Sequence, residues 1–431
     1  MTPALDRARP SAAGWAVLAV GIIVGIAIRA VLLPRPGLAG DLDEFASWVH
    51  ALATGPLGNA YDIDLTFPPV MVYVWATLGA VEPAFRTVTD ASDPWIRVLM
   101  KLPPTLSDAG LAAGVAFALR SRPGWAIAGA LAIWLHPAVI DVSALFGQYE
   151  SVYTLFALIA FLLVVSGRPA LAAVALGFAL TTKPQALPLL VPFGGWFLAT
   201  LGWRRTLLLA LVGTATVAIL WLPFLAAGGP AGYLRSIELH QDELFGLLSL
   251  RAWNPWWIVQ EFGAGGSFVS DQIAIAGPIT FRHIGYAVAG VFEIGVFAAV
   301  WRSPTPRTLA IGLAAAALVA FTFLTTMHER YAFAALVFLT LLIPERRMLV
   351  VWLVFGIAWT LNLLAAIPPS AEIESILSVN GPLGIAGSLA IYGVTLAVLW
   401  ELLRDARSRP APGEASKPPD ERDAVPVKVV G

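Results

Sequence analysis

The chain has 431 residues, of which 58% are hydrophobic and 13% charged, whereas a typical soluble domain holds about 45–50% apolar and about 25% charged residues. A net charge of −1 provides no basic surface for nucleic acid. The absence of cysteine excludes disulfides, thiolate catalysis and cysteine-ligated metal. Composition therefore predicts a membrane protein with no independent soluble domain.

Long apolar runs alternate with arginine clusters along the whole chain. A run of about 20 apolar residues spans a hydrocarbon core roughly 30 Å thick, and arginines in short loops mark the cytoplasmic side. Arg7 and Arg9 precede the first run, which we interpret as a retained helix because no small-residue cleavage site follows it. This pattern predicts an all-α integral membrane protein of about twelve spans with both termini cytoplasmic. The predicted spans are 12–33, 98–119, 125–145, 151–166, 169–182, 185–202, 206–227, 283–300, 308–326, 331–344, 348–367 and 382–403.

Two long loops are predicted on the extracytoplasmic side, at 34–97 and 228–282. The first loop contains an amphipathic stretch at 45–52 and an apolar stretch at 68–81. The apolar stretch is short for a span and is predicted to be an interfacial or re-entrant helix. The transmembrane domain then covers 1–407, and the Pro- and charge-rich end at 408–431 is predicted to be a disordered cytoplasmic tail.

Polar residues at the ends of several predicted helices fall on the extracytoplasmic side. Taken singly, each has an ordinary structural explanation: a helix cap, a cation that reaches the interface, or an interfacial tryptophan. Their convergence on one face instead favours a site. An aspartate there can act as a general base toward a hydroxyl, and tryptophans offer flat surfaces to a sugar or a prenyl chain. Four cations are predicted to stabilise a departing phosphate: Lys183, Arg251, His328 and Arg330.

Short motifs in chain order carry a family resemblance. They are Gly40-Asp41-Leu42-Asp43 followed by Trp48, Phe67-Pro68-Pro69 followed by Tyr73, Phe146-Gly147-Gln148-Tyr149, Lys183-Pro184-Gln185, Asn254 within Ala-Trp-Asn-Pro-Trp-Trp, and His328-Glu329-Arg330. Together they resemble the GT-C glycosyltransferases, which use polyprenyl-phosphate sugars as donors. The similar groups are the endoplasmic-reticulum glucosyltransferases that extend the N-glycan precursor and the bacterial polyprenyl-phosphate-mannose-dependent enzymes.

The resemblance implies an inverting hexosyl transfer, of mannose or glucose, on the extracytoplasmic side. It implies that Asp41 is the catalytic base, and Gly40 is expected to allow a tight turn between the first helix and this residue. The predicted substrate- and acceptor-binding residues are Asp43, Gln148, Tyr149, Gln185, Trp253 and Asn254. The partners implied are a lipid-linked sugar donor, an acceptor glycan, glycolipid or protein, and membrane lipids.

Other functions stay open at this level. A transporter or flippase of an anionic lipid or solute would use the same cations, and a noncatalytic scaffold would leave Asp41 and Asp43 as surface acids. Asp41, Asp43 and Glu44 with His50 or His240 could ligate Mg²⁺ or Mn²⁺, but we predict no metal and no other cofactor, because cations alone can stabilise a lipid monophosphate. High Ala and Arg with low Lys indicate a bacterial plasma membrane.

Overall fold

The computed structural model describes residues 11–240 and 246–407, and the predicted tail at 408–431 lies outside them. The chain is helical over most of this length, as the apolar runs predicted. The helices are α1 (Ala12–Leu32), α2 (Ala39–Thr54), α3 (Pro69–Val81), α4 (Pro94–Ala118), α5 (Pro123–Trp134), α6 (Pro137–Ile140), α7 (Glu150–Val165), α8 (Pro169–Leu180), α9 (Leu190–Trp221), α10 (Gly229–Leu239), α11 (Pro255–Ala264), α12 (Phe281–Arg302), α13 (Pro306–Phe323), α14 (Phe333–Thr340), α15 (Arg346–Ala366), α16 (Ala371–Ile376) and α17 (Gly381–Arg407).

Shorter elements connect these helices. A π-helical turn, Asp141–Phe146, follows α6, and 3₁₀ turns cover Leu57–Asn59, Pro83–Arg86, Pro184–Leu189 and Leu222–Phe224. Strand β1 (Ser249–Leu250) pairs in parallel with β4 (Met327–His328), with Leu250 opposite His328. Strands β2 (Ala274–Ala276) and β3 (Ile279–Thr280) form an antiparallel hairpin. All four strands lie in segments predicted from the sequence to be loops.

Several helices begin at a proline, which explains why their starts lie close to the predicted ones. Proline is favoured at the first helical position because its fixed φ suits the helix and its missing N–H has no partner there anyway. At α4 the preceding Asp93 accepts a hydrogen bond from the Trp95 backbone N–H at 2.6 Å, and at α13 the hydroxyl of Thr305 accepts one from the Thr308 N–H at 3.1 Å. Both caps satisfy donors that the first helical turn leaves unpaired.

Six helices in the described residues are long and apolar enough to cross a membrane: α1, α9 with its flanking 3₁₀ turns, α12, α13, α15 and α17. The bent pair formed by α5 and the segment Pro137–Phe146 would make a seventh, with a bend of 45°. By the length and composition of these helices, the protein is a multi-pass membrane protein of the all-α class, with only two short strand pairs in the described residues. The predicted count of about twelve spans, the membrane type and its sidedness are not established by this count and stay predictions.

The longest helix, α9, is divided at Gly202, whose φ of 75° and ψ of 167° are not helical. Residues on both sides of the break line one apolar pocket, including Phe193 and Phe197 before it and Leu209 and Gly213 after it. The two halves therefore fold back against each other. A left-handed φ of this size suits glycine, which has no Cβ to clash with the following carbonyl.

Helix α1 packs closely on α5 through two glycines. A Cβ at Gly21 would lie 2.4 Å from Leu131 Cδ2, and one at Gly25 would lie 2.0 Å from Trp134 Nε1. One turn later Arg29 is buried, with its guanidinium 2.9 Å from Asp108 Oδ2 and stacked 3.7 Å from the Trp134 ring. A buried charge of this kind is retained in a membrane helix only with a partner. The contact therefore fixes α1 against α4 and α5.

The chain after α1 returns to the bundle at Gly37, not at Gly40 as expected. Gly37 has φ 63°, and a Cβ there would lie 1.9 Å from the Leu145 carbonyl oxygen. Gly40 lies inside α2, which begins six residues earlier than the predicted amphipathic stretch. The Lys101 ammonium donates to the Arg35 carbonyl at 2.7 Å and holds the connection in place. Asp41 consequently lies in the first turn of a helix and not in a loop.

A compact aromatic cluster supports α2. It comprises Phe45, Trp48, Phe67, Trp75 and Tyr149, whose ring centroids lie 5.1–6.0 Å apart. Aromatic pairs at these separations add about 0.5–1.5 kcal/mol each beyond their area burial. The cluster joins α2 and α3 to the start of α7, so the predicted first loop is a packed helical layer.

Candidate active site

A cavity of about 360 Å³ lies at one end of the bundle and is lined by side chains from seven separate segments. They come from α2, the residues before α3, the residues before α7, the turn after α8, the end of α10, the start of α12, and the connection between α13 and α14. Six of the eleven predicted site residues line it: Asp41, Gln148, Lys183, Gln185, His328 and Arg330. Segments far apart in sequence thus bring an acid, amides and cations to one place. The sequence predicts that these residues share one face of the membrane.

Asp41 is held by two partners in this cavity. Its Oδ2 accepts a hydrogen bond from Gln148 Nε2 at 2.7 Å and lies 3.5 Å from Arg330 Nη2. Within the described residues Oδ1 accepts no hydrogen bond, and 36% of the side chain is exposed. Asp41 bonds across to other segments and not to the first N–H groups of α2. The arrangement therefore resembles an oriented, accessible base more than a helix cap.

Gln148 reaches Asp41 because the chain turns sharply at Gly147. The backbone N–H of Gln148 closes the π-helical turn by donating to the Val142 carbonyl at 2.9 Å. Gly147 has φ 79°, and a Cβ there would lie 2.7 Å from Leu42 Cδ2. Any other residue would be strained in backbone and would press on α2. Gly147 is thus the residue that aims Gln148. π-helical turns recur at functional sites.

Lys183 lines the cavity with only 5% of its surface exposed. Its ammonium contacts Glu150 Oε1 at 2.5 Å and lies 5.4 Å from the ring centroids of Phe67 and Tyr331. Burial lowers the pKa of Lys183, and the negative charge of Glu150 acts in the opposite direction. The site therefore positions a lysine whose charge depends on the acids beside it.

The segment His328-Glu329-Arg330 brings a second cation to the cavity. Arg330 contacts Glu329 Oε1 at 3.1 Å and Glu150 Oε1 at 3.5 Å, in addition to Asp41. Burial is the largest single effect and disfavours the charged form of Glu329, but the charge of Arg330 and the hydrogen bonds to the carboxylate together lower the pKa of Glu329 to about 2. Burial, and to a smaller extent the charge of Arg330, lowers the pKa of His328. The lowered pKa favours a neutral imidazole at pH 7. Arg330 is thus the permanent cation of this segment.

Two predicted substrate-binding residues lie outside the cavity, next to residues that line it. Asp43 points away from Asp41 and accepts a hydrogen bond from the Ala91 N–H at 2.8 Å. Tyr149 is fully buried in the aromatic cluster, where its hydroxyl donates to the Met100 carbonyl at 2.9 Å. On a helix, positions two apart face different directions. Their contacts give no support to a substrate-binding role.

The predicted site residues of the second loop also lie away from the cavity. Arg251 donates to the Ala366 carbonyl at 2.7 Å, and its own carbonyl accepts from Asn362 at 2.8 Å. Trp253 and Asn254 are fully buried. Asn254 caps α11 by accepting from the Trp257 N–H at 3.1 Å. These contacts fix the second loop to α15 and α11, and only the backbone of Arg251 approaches the site, through its bridge to His328.

Two acids that contact the cations of the cavity, Glu150 and Glu329, were not predicted as site residues. Both are buried, with 0% and 2% of their surfaces exposed. Each stands next to a predicted residue in sequence, Tyr149 or Arg330, and an acid adjacent to a motif residue was the signal available for them. Glu44 also lines the cavity, and burial raises its pKa. Across the described residues no group of three His, Asp or Glu side chains is arranged to hold a metal ion. His50 instead bonds to the Phe85 carbonyl at 2.9 Å.

A scan against known protein families gives no match for this chain, and a search of curated proteins finds no relative of significant similarity. The functional argument therefore rests on the geometry of the cavity.

Proposed function

We propose that the protein is an inverting membrane hexosyltransferase that uses a polyprenyl-phosphate sugar as its donor. One observation carries the proposal: the accessible carboxylate of Asp41 shares a cavity with the ammonium group of Lys183 and the guanidinium group of Arg330. Buried acids hold both cations in place. A base beside a cationic site is what transfer from a lipid phosphate to a hydroxyl requires. The motifs that resemble GT-C enzymes include all three of these residues.

The proposed reaction is a single displacement at C1 of the donor sugar. Asp41 removes the proton of the acceptor hydroxyl as its oxygen bonds to C1, and the bond between C1 and the phosphate oxygen breaks with its electron pair. The products are the glycosylated acceptor, a polyprenyl monophosphate and a proton on Asp41. Arg330 stabilises the departing phosphate with hydrogen bonds from its guanidinium fork, and Lys183 contributes a point charge.

Amide groups in the cavity suit sugar hydroxyls. Gln148 orients Asp41 through its Nε2 atom. Gln185 lines the cavity, and its Oε1 atom is buried with no hydrogen-bond partner in the described residues. A buried acceptor without a partner costs about 1–3 kcal/mol, which a ligand hydroxyl would recover. Trp48 offers an apolar face on the same wall.

The test is transfer of radiolabel from a panel of polyprenyl-phosphate sugars in membranes with and without the protein. The diagnostic variant is Asp41→Asn, with Asp43→Asn as its matched control, since Asp43 bonds to Ala91 and not into the cavity. We expect Asp41→Asn to lower turnover by about 10²–10⁴-fold while donor binding persists, and Asp43→Asn to stay near wild type. Full activity of Asp41→Asn would overturn the mechanism. Movement of the labelled lipid across the bilayer without any transfer would indicate a flippase instead.

A further inference from the structure

A second cavity lies at the opposite end of α12 from the site described above. Tyr286, near the start of α12, lines the site, whereas this groove of about 620 Å³ includes Phe292 of α12 and the facing ends of α15 and α17. Phe292 lies about 9 Å from Tyr286 along α12 at a rise of 1.5 Å per residue, and the groove continues from there to Arg347 in the first turn of α15 and Leu403 near the end of α17. The two cavities share no lining residue and are separate.

The walls of the groove are apolar. Val351, Leu396 and Trp400 face Phe292 across it, and Trp400 is 64% exposed. These residues belong to helices that are long and apolar enough to cross a membrane. A groove of this kind between two such helices accepts a hydrocarbon chain.

One end of the groove is basic. Arg347 lines it, is exposed, and forms no ion pair in residues 11–240 and 246–407. Glu401 also lines the groove, but Arg307 and Arg404 hold its Oε1 at 2.7 and 2.8 Å. Glu345, two residues before Arg347, is likewise paired with Arg307 at 2.7 Å. The nearby acids are compensated, which leaves Arg347 available to an anion.

We propose that this groove binds an anionic phospholipid. The headgroup phosphate bonds to the Arg347 guanidinium, and an acyl chain lies along the wall formed by Phe292, Leu396 and Trp400. Arginine suits this role because its planar fork matches phosphate and its charge is permanent. Basic pockets between transmembrane helices bind anionic lipid headgroups in this way. The proposal is independent of the reaction at Asp41.

The test uses the purified full-length protein titrated with phosphatidylglycerol or with phosphatidylcholine of the same acyl chains, followed by native mass spectrometry. We expect phosphatidylglycerol to bind the wild type preferentially. Arg347→Gln should weaken that binding roughly tenfold or more, as expected for the loss of a charged hydrogen bond. Arg347→Lys should retain most of it.

Arg346→Gln is the matched control, because it removes the same charge from the neighbouring residue, which does not line the groove. It should bind phosphatidylglycerol like the wild type. Equal losses in the Arg346 and Arg347 variants would reduce the effect to general surface charge and overturn the site. So would equal binding of the two lipids, or full competition by soluble glycerol phosphate, which has no acyl chain. Thermal unfolding of each variant verifies that it is folded.

Discussion

The ion pair between Lys183 and Glu150 allows stability and function to be separated in one experiment. Both side chains are almost wholly buried, and their charged atoms are 2.5 Å apart. Removing one partner of a buried pair costs about 3–5 kcal/mol, whereas replacing both by apolar residues is close to neutral. In Lys183→Met the remaining carboxylate keeps Arg330 at 3.5 Å, so we expect a loss near the lower limit, about 3 kcal/mol. Glu150→Leu should cost less, because Lys183 can release its proton.

The double variant Lys183→Met, Glu150→Leu should regain stability to within about 1 kcal/mol of the wild type, with a coupling of at least about 2 kcal/mol. Unfolding can be followed in mixed micelles by the fluorescence of the 16 tryptophans. If Lys183 binds the donor phosphate, this stable double variant will still fail to bind a radiolabelled polyprenyl-phosphate sugar. Additive losses in the two single variants would show that the pair is not coupled. Donor binding by the double variant would exclude Lys183 from the phosphate site.

Three further outcomes are expected. Gln148→Ala removes the 2.7 Å hydrogen bond to Asp41 and should lower turnover about tenfold with little change in donor affinity, measured by initial rates; a change in affinity alone would contradict its orienting role. The pKa of Glu329 is lowered to about 2, so its stabilising effect, about 3 kcal/mol, is complete above pH 4.5 and is lost as the pH falls toward 2; Glu329→Gln should flatten this acid limb of unfolding curves. A cysteine placed at exposed Ser267 should react with an impermeant thiol reagent from outside intact cells, and one at exposed Arg204 only after permeabilisation; the reverse pattern would invert the orientation.

The helical segments could be predicted from the sequence because they depend on local properties. Apolar length and prolines at helix starts place α4, α7, α12, α13 and α15 within a few residues of the expected spans. The number of membrane crossings is harder to predict from the sequence. Helix α13 is buried on nearly every side, whereas α1 exposes most of its surface. Both are apolar, so hydropathy alone does not distinguish a helix surrounded by protein from one that faces lipid.

The site was predictable only in part, for a similar reason. Asp41, Lys183 and Arg330 were found because cations and acids at helix ends are unusual near a membrane. Arg251 and Asn254 satisfied the same criterion, yet they bond to carbonyl groups of α15 and α13. A sequence records that a polar side chain is present and does not record which partner satisfies it. That partner is set by tertiary packing between segments far apart in the chain.

The pairing of Arg29 with Asp108 has a consequence for biosynthesis. The two residues are 79 positions apart, so α1 emerges from the ribosome long before its partner in α4. At about 5–20 residues per second, the interval is about 4–16 seconds. Arg29 lies in the last turn of α1, where an uncompensated arginine costs less than the roughly 2.5–3.5 kcal/mol found at the centre of a membrane helix, because its side chain can reach the interface. The first helix therefore enters the bilayer with a charge that only later synthesis neutralises, and retention of α1 beside the insertion machinery until α4 arrives would protect it from premature release into lipid.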